Sequence, residues 1–76
     1  MIGDWWRRRR ARRRAIEDSA RAICEARLRD MIQRAGCQVD ELTIRRAVDR
    51  TWRQHLPEAR EAHRAGEIYQ RLTRAG

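Results

Sequence analysis

Lysine, asparagine and phenylalanine are absent from this 76-residue chain, and proline occurs once, at Pro57. The two cysteines, Cys24 and Cys37, are too few and too far apart to form a disulfide framework. No apolar run is longer than three residues, so no segment reads as a membrane span. The arginine-rich stretch near the N-terminus is followed by no apolar core of a secretory leader, which makes the cytoplasm the expected compartment. No stretch alternates apolar and polar residues as a half-buried strand does, and no internal repeat is visible.

Because lysine is missing, all nineteen basic residues are arginines, against eleven acids and a net charge of +8. Arginine replaces lysine along the whole chain, so the choice of cation points to coding bias. Its clustering does not. Arg7, Arg8, Arg9, Arg10, Arg12, Arg13 and Arg14 fill eight positions interrupted only by Ala11, directly after Trp5 and Trp6. Residues 1–14 set these seven charges against Asp4 alone, a net of +6, whereas residues 15–76 set twelve arginines against ten acids, a net of +2. A block of that density repels itself and cannot be buried, so it calls for a polyanion or for water around it.

The periodicity is helical throughout and the expected fold is all-α. It is a small three-helix domain whose long N-terminal helix carries the arginine-rich extension. Residues 1–14 form the Arg-rich, Trp-containing segment, and residues 15–76 form the helical domain, with helices over 15–35, 41–55 and 57–74. Asp4 is a candidate N-cap, and Gly36 is placed as the residue just past the end of the first helix. The apolar stripe of that helix begins only at Ile16, and Ala11, Ala15, Ala22 and Ala26 form a second face open to close backbone approach. Asp40 caps the second helix, with Val39 stapling onto Ile44. Asp49 stands four residues from both Arg45 and Arg53 and is expected to pair with them. Leu56-Pro57 ends that helix, since a residue before proline is pushed out of the α region. In the third helix Ala62, Ala65, Ile68, Tyr69 and Leu72 form the expected inner face, and Gly66 marks a close crossing or a kink. At this size a lone core is marginal, which favours a homodimer or a protein partner.

The arginine block is the candidate site. A chain that neutralises several phosphates releases their counterions and binds with steep salt dependence. Arginines on every side of a helix can fill a groove and touch both walls, and in composition the block resembles the arginine-rich class of RNA-binding helices over about ten residues. Trp5 and Trp6 have three readings: stacking on unpaired bases, seating at a lipid interface, or folding back as hydrophobic anchors. The absence of an apolar face among the arginines disfavours a membrane surface. Arg45, Arg46, Arg50 and Arg53 form a candidate secondary basic face.

Cys24, Cys37, His55 and His63 are zinc-ligand types, but their spacing fits no compact module, and no metal or other cofactor is expected. Cys24 reads as a small core residue, His55 as lining the core edge beside Trp52, and His63 as exposed. No nucleophile pair with triad logic is visible, and nothing points to a small-molecule substrate, so the chain reads as a non-enzyme. A helix-turn-helix over the second and third helices is disfavoured because Glu58 and Glu61 open the third helix and repel DNA. The preferred function is a small nucleic-acid-binding accessory protein, with RNA ahead of DNA. The alternatives are a phage- or plasmid-type interaction protein or inhibitor that docks onto a larger complex, and a peripheral membrane-surface subunit.

Overall fold

The computed structural model describes residues 2–75 and the side chains of 3–74; residues 1 and 76, the outer limits of the two expected segments, lie outside the described residues. The chain is all-α. Three helices, α1 (Ile2–Ala35), α2 (Glu41–Thr51) and α3 (Leu56–Ala75), are joined by a turn at Gly36 and a 3-10 turn over Trp52–His55. Among the described residues no helix is long and apolar enough to cross a membrane.

No proline or glycine interrupts the arginine- and alanine-rich run from Asp4 to Ala35, and α1 takes up all of it. It starts before Asp4, so that residue lies in the first turn, where its charge suits the helix dipole, and is not the N-cap. The division expected at residue 14 falls inside this one continuous helix. Its end is fixed by Gly36, whose φ of 69° is open to glycine and costly for other residues. There the Gly36 N–H donates to the Gln33 carbonyl and the Cys37 N–H to the Ile32 carbonyl, both at 3.2 Å, the paired bonds of a Schellman cap.

At the start of α2, the Asp40 carboxylate accepts from the Thr43 N–H at 3.1 Å, and Val39 packs against the cluster that holds Ile44. The same corner carries a two-pronged ion pair. Arg29 places both terminal nitrogens on Glu41, at 2.6 and 3.1 Å, and also reaches Glu25 at 3.2 Å. The Arg29 guanidinium holds the Glu41 carboxyl below its usual range, while the Thr43 hydrogen bonds do the same for Asp40. The Glu41 hydrogen bond, followed by that of Glu25, raises the Arg29 guanidinium above its own ordinary value.

The second helix ends earlier than expected. α-Helical bonding stops at Thr51, and Trp52–His55 tighten into a 3-10 turn, so Leu56-Pro57 opens α3. Pro57 there needs no N–H partner, since it falls in the first turn. The turn swings Trp52 into the core, which consists of Ala20, Cys24, Ile44, Val48, Trp52 and Ala59, flanked by half-buried Ile16, Ile23, Leu28, Ile32, Val39 and Leu56. Cys24 bonds Thr51 at 3.3 Å, and Thr51 in turn donates to the Ala47 carbonyl at 2.7 Å. The Arg21 and Arg53 guanidinium carbons lie 4.8 and 5.4 Å from the Trp52 ring centroid and cap its faces.

α3 faces α1 with a side other than the expected one. Ala59 is fully buried, His63 meets Ser19 at 3.2 Å, and Glu67 meets Arg12, so the inner face is Leu56, Ala59, His63 and Glu67. Ala62 and Ala65 are exposed, and Ile68, Tyr69 and Leu72 are 50, 68 and 70% exposed. Stepping 100° per residue puts this apolar stripe nearly opposite the side that touches α1. The cause lies on α1, which above Ile16 offers arginines and no apolar groove. His63, expected to be exposed, is half-buried for the same reason. A Cβ added at Gly66 would meet nothing within 4 Å, so no helix crosses there, and α3 runs through it as α-helix. Of the alanine face, Ala15 is half-buried, whereas Ala11, Ala22 and Ala26 are exposed and no backbone lies against them.

The result is a slab of 49 × 31 × 16 Å with a radius of gyration of 16.2 Å. A compact chain of this length has about 11 Å. The buried cluster lies where α1, α2 and the 3-10 turn meet, and the arginine end extends away from it.

Candidate nucleic-acid interface

Seven guanidiniums over eight helical residues occupy about 12 Å of axis, or one positive charge per ~1.7 Å. Duplex DNA carries one negative charge per ~1.7 Å of its own axis. All seven arginines are exposed, and at 100° per residue their side chains surround the helix. Arg7, Arg10 and Arg14 line a shallow groove over Ala11, whose small side chain leaves room between them.

Two of the seven are held by acids of the same chain. Arg12 grips Glu67 of α3 through two contacts, Nε to Oε1 at 3.1 Å and Nη2 to Oε2 at 3.4 Å. Arg13 stands 3.6 Å from Glu17, one turn on. Exposed pairs of this kind are worth about 0–1 kcal/mol, so a phosphate can take the carboxylate's place. Among the described residues, Arg7, Arg8, Arg9, Arg10 and Arg14 make no ion pair.

Trp5 and Trp6 do not fold back as buried anchors; they are 54 and 51% exposed. Their rings meet edge to face, with centroids 5.0 Å apart and planes at 76°. The Arg9 guanidinium carbon lies 5.2 Å from the Trp5 centroid. The two rings and Arg9 therefore form one exposed aromatic and cationic tip on the first turns of α1.

The secondary basic face is arranged differently. Asp49 does not pair with Arg45 or Arg53; it takes Arg21 of α1 at 2.9 Å, tying the two helices together. Arg53 is used against Trp52. Arg45 lines a groove in which Asp18, Glu25, Glu41 and Asp49 outnumber Arg21 and Arg45, a surface that repels phosphate. None of Arg45, Arg46, Arg50 or Arg53 lines the clefts along Arg7–Arg14.

Cys24, Cys37, His55 and His63 are not brought together. Cys24 is buried beside Thr51, Cys37 is exposed at the Gly36 turn, His55 lies 3.4 Å from Arg27, and His63 is on Ser19. Among the described residues no group of three or more His, Cys, Asp or Glu is arranged to hold a metal.

Sequence reasoning missed two residues of this end, Arg60 and Glu67. Both lie on the polar side of α3, which its apolar stripe had marked as outer. The available signal was charge. A helix packed beside seven arginines needs an acid facing them, and Glu67 is the last acid in the chain. Compared with known proteins, the chain matches no family model, and no curated protein and no solved structure is significantly similar to it.

Proposed function

We propose that the protein is a small nucleic-acid-binding accessory factor, without catalytic activity, that holds a phosphate backbone along Arg7–Arg14. The observation that supports this is the helical, all-round display of seven exposed guanidiniums, at a linear density equal to that of duplex phosphates, with only two of them paired to acids. RNA is favoured over DNA. A helix with arginine on every side fits a deep groove or a folded loop, where it touches phosphates on both walls. Trp5 and Trp6, open on the same turns, add surface on which unpaired bases stack. Two thiols, one of them exposed at Cys37, suit a reducing compartment such as the cytoplasm.

The test is salt-dependent binding to an RNA hairpin and to a DNA duplex of equal length. Five to seven phosphate contacts give a log–log slope of about −4 to −6 on duplex. Replacing Arg8, Arg9, Arg12 and Arg13 together with Gln flattens that slope and leaves the helicity of residues 15–76 in place. Unchanged affinity and slope in the quadruple variant would remove the proposal.

A second reading, self-association, is favoured by the stripe of Ile68, Tyr69 and Leu72 that α3 turns to solvent. Glu61 opens this stripe and Arg71 closes it, so an antiparallel second copy sets acid against base at both ends. Sedimentation velocity across a concentration series tests it, and a monomer at all concentrations rules it out.

A further inference from the structure

Between α1 and the start of α3 lies a cleft of about 480 Å³ whose walls carry Arg9, Arg12 and Arg13 from one helix and Arg60 from the other. Its apolar lining is Ile16 and Leu56, both half-buried against the core cluster. The volume falls in the range of roughly 300–1,000 Å³ typical of clefts that take a small organic group. Four guanidiniums border it. Glu17, in the lining, engages Arg13, and Glu67 engages Arg12, which leaves a net charge of +2. Arg60 makes no ion pair among the described residues.

Resting on the nucleic-acid reading above, we propose that this cleft seats one unpaired nucleotide of the bound strand, with Arg60 as a phosphate contact supplied by α3. The charge balance matches two successive phosphodiesters, one on each side of the seated base. The apolar lining gives that base a dry surface, which bare guanidiniums would not. A base held in a duplex cannot enter the cleft, so the preferred ligand is a single strand or a loop. The site also needs the folded bundle, because Arg60 reaches it only when α3 lies against α1.

The experiment compares Arg60→Gln with Arg34→Gln. The second makes the same charge change at the far end of α1, where Arg34 pairs with Asp30. Fluorescence anisotropy is measured with a labelled twelve-nucleotide oligouridine and with a blunt twelve-base-pair RNA duplex, and circular dichroism checks that each variant is folded. On oligouridine, Arg60→Gln binds about tenfold more weakly than Arg34→Gln at low salt, and its salt slope is shallower by about 0.7. On the blunt duplex the two variants bind alike. Arg60→Lys keeps the slope, since the charge remains.

Equal binding of Arg60→Gln and Arg34→Gln to oligouridine overturns the nucleotide seat. So does an Arg60→Gln loss of the same size on both probes, which would mark an ordinary backbone contact. In either case strong salt-dependent binding by the unaltered protein leaves the arginine-helix reading standing. Absence of any salt-dependent binding to either probe removes both together.

Discussion

Around the corner between α1 and α2, arginines meet acids on a neighbouring helix or one turn away: Arg21 with Asp49, Arg27 with Glu58, Arg29 with Glu25 and Glu41, Arg34 with Asp30. These pairs ring a buried cluster built on Trp52. At the opposite end the proportions reverse. Trp5, Trp6, Ile68, Tyr69 and Leu72 are half exposed or more, and of seven arginines only two are paired among the described residues, Arg12 with Glu67 and Arg13 with Glu17. Both ends are made of the same residue types, arginine above all. What separates them is charge balance. At the corner acids stand beside the arginines, although Arg45, Arg46 and Arg50 make no ion pair among the described residues and Met31 and Leu42 are 64 and 52% exposed. At the other end cations far outnumber acids. A chain selected only for stability would spread its acids more evenly. The concentration of unmatched cations on one half of one helix is therefore the strongest physical argument that this half meets something else.

The largest expected effect comes from the matched end. Trp52 is the largest side chain in the buried cluster and is capped by two guanidiniums. Trp52→Ala is expected to cost about 3–5 kcal/mol, enough to unfold a domain this small. Urea unfolding followed by circular dichroism reads this directly. A variant that keeps its full transition would show that the corner does not hold the fold.

How much of this contrast was legible in the sequence depended on whether the governing interactions were local. The Gly36 stop, the Asp40 cap and the Val39 staple were readable because each involves residues within a few positions of one another. The α2 stripe of Ile44, Val48 and Trp52 was readable because α1 opposite it is apolar. The same periodic logic failed for α3. Its stripe of Ala62, Ala65, Ile68, Tyr69 and Leu72 is as regular, but the surface it would need on α1 is the arginine block, and an apolar face gains nothing there. Which side of α3 turns inward is settled by Ala59, His63 and Glu67 meeting Ser19 and Arg12, pairings forty or more residues apart that no local pattern encodes. The arginine block itself was fully legible. Arg60, its neighbour across the cleft, was not, because its role depends on that inward turn.

Acid should weaken the matched end. Asp40 and Glu41 both have their carboxyls lowered from ordinary values of 3.8 and 4.5, Asp40 by Thr43 and Glu41 by Arg29. A lowered folded-state value means that the unfolded chain binds protons first, so stability rises with pH across this window. The contribution is complete above about pH 5 and is lost as pH falls through 4.5 and 3.8 toward the lower folded-state values. Both groups are exposed, so the effect is modest. Thermal unfolding midpoints between pH 7 and pH 3 measure it, and Glu41→Gln should remove part of the slope. A midpoint that climbs as pH falls would contradict the sign.

Smaller still in stability, and opposite in its two readouts, is Glu67→Gln. Loss of the exposed Arg12–Glu67 pair costs under about 1 kcal/mol of stability. Binding to a polyanion should tighten by a few fold, because Arg12 is released and one repelling charge is removed. Isothermal titration with an RNA hairpin, beside a urea curve, reads both. Weaker binding in this variant would mean that Glu67 positions Arg12 for the ligand and does not compete with it.

The smallest expected effect is the sharpest test of which side of α3 is inner. Ile68 and Leu72 are 50 and 70% exposed, so replacing both with Gln should change monomer stability by no more than about 0.5 kcal/mol. Were the stripe packed against α1, the same pair of changes would remove two core side chains and cost several kcal/mol. Concentration separates the remaining case. If two copies of the chain meet through this stripe, the double variant loses self-association in sedimentation velocity, while its unfolding at low protein concentration stays unchanged. A large loss of stability at low concentration would instead place the stripe inside the monomer, and with it undo the Arg12–Glu67 and Ser19–His63 contacts, since α3 cannot offer both sides to α1 at once.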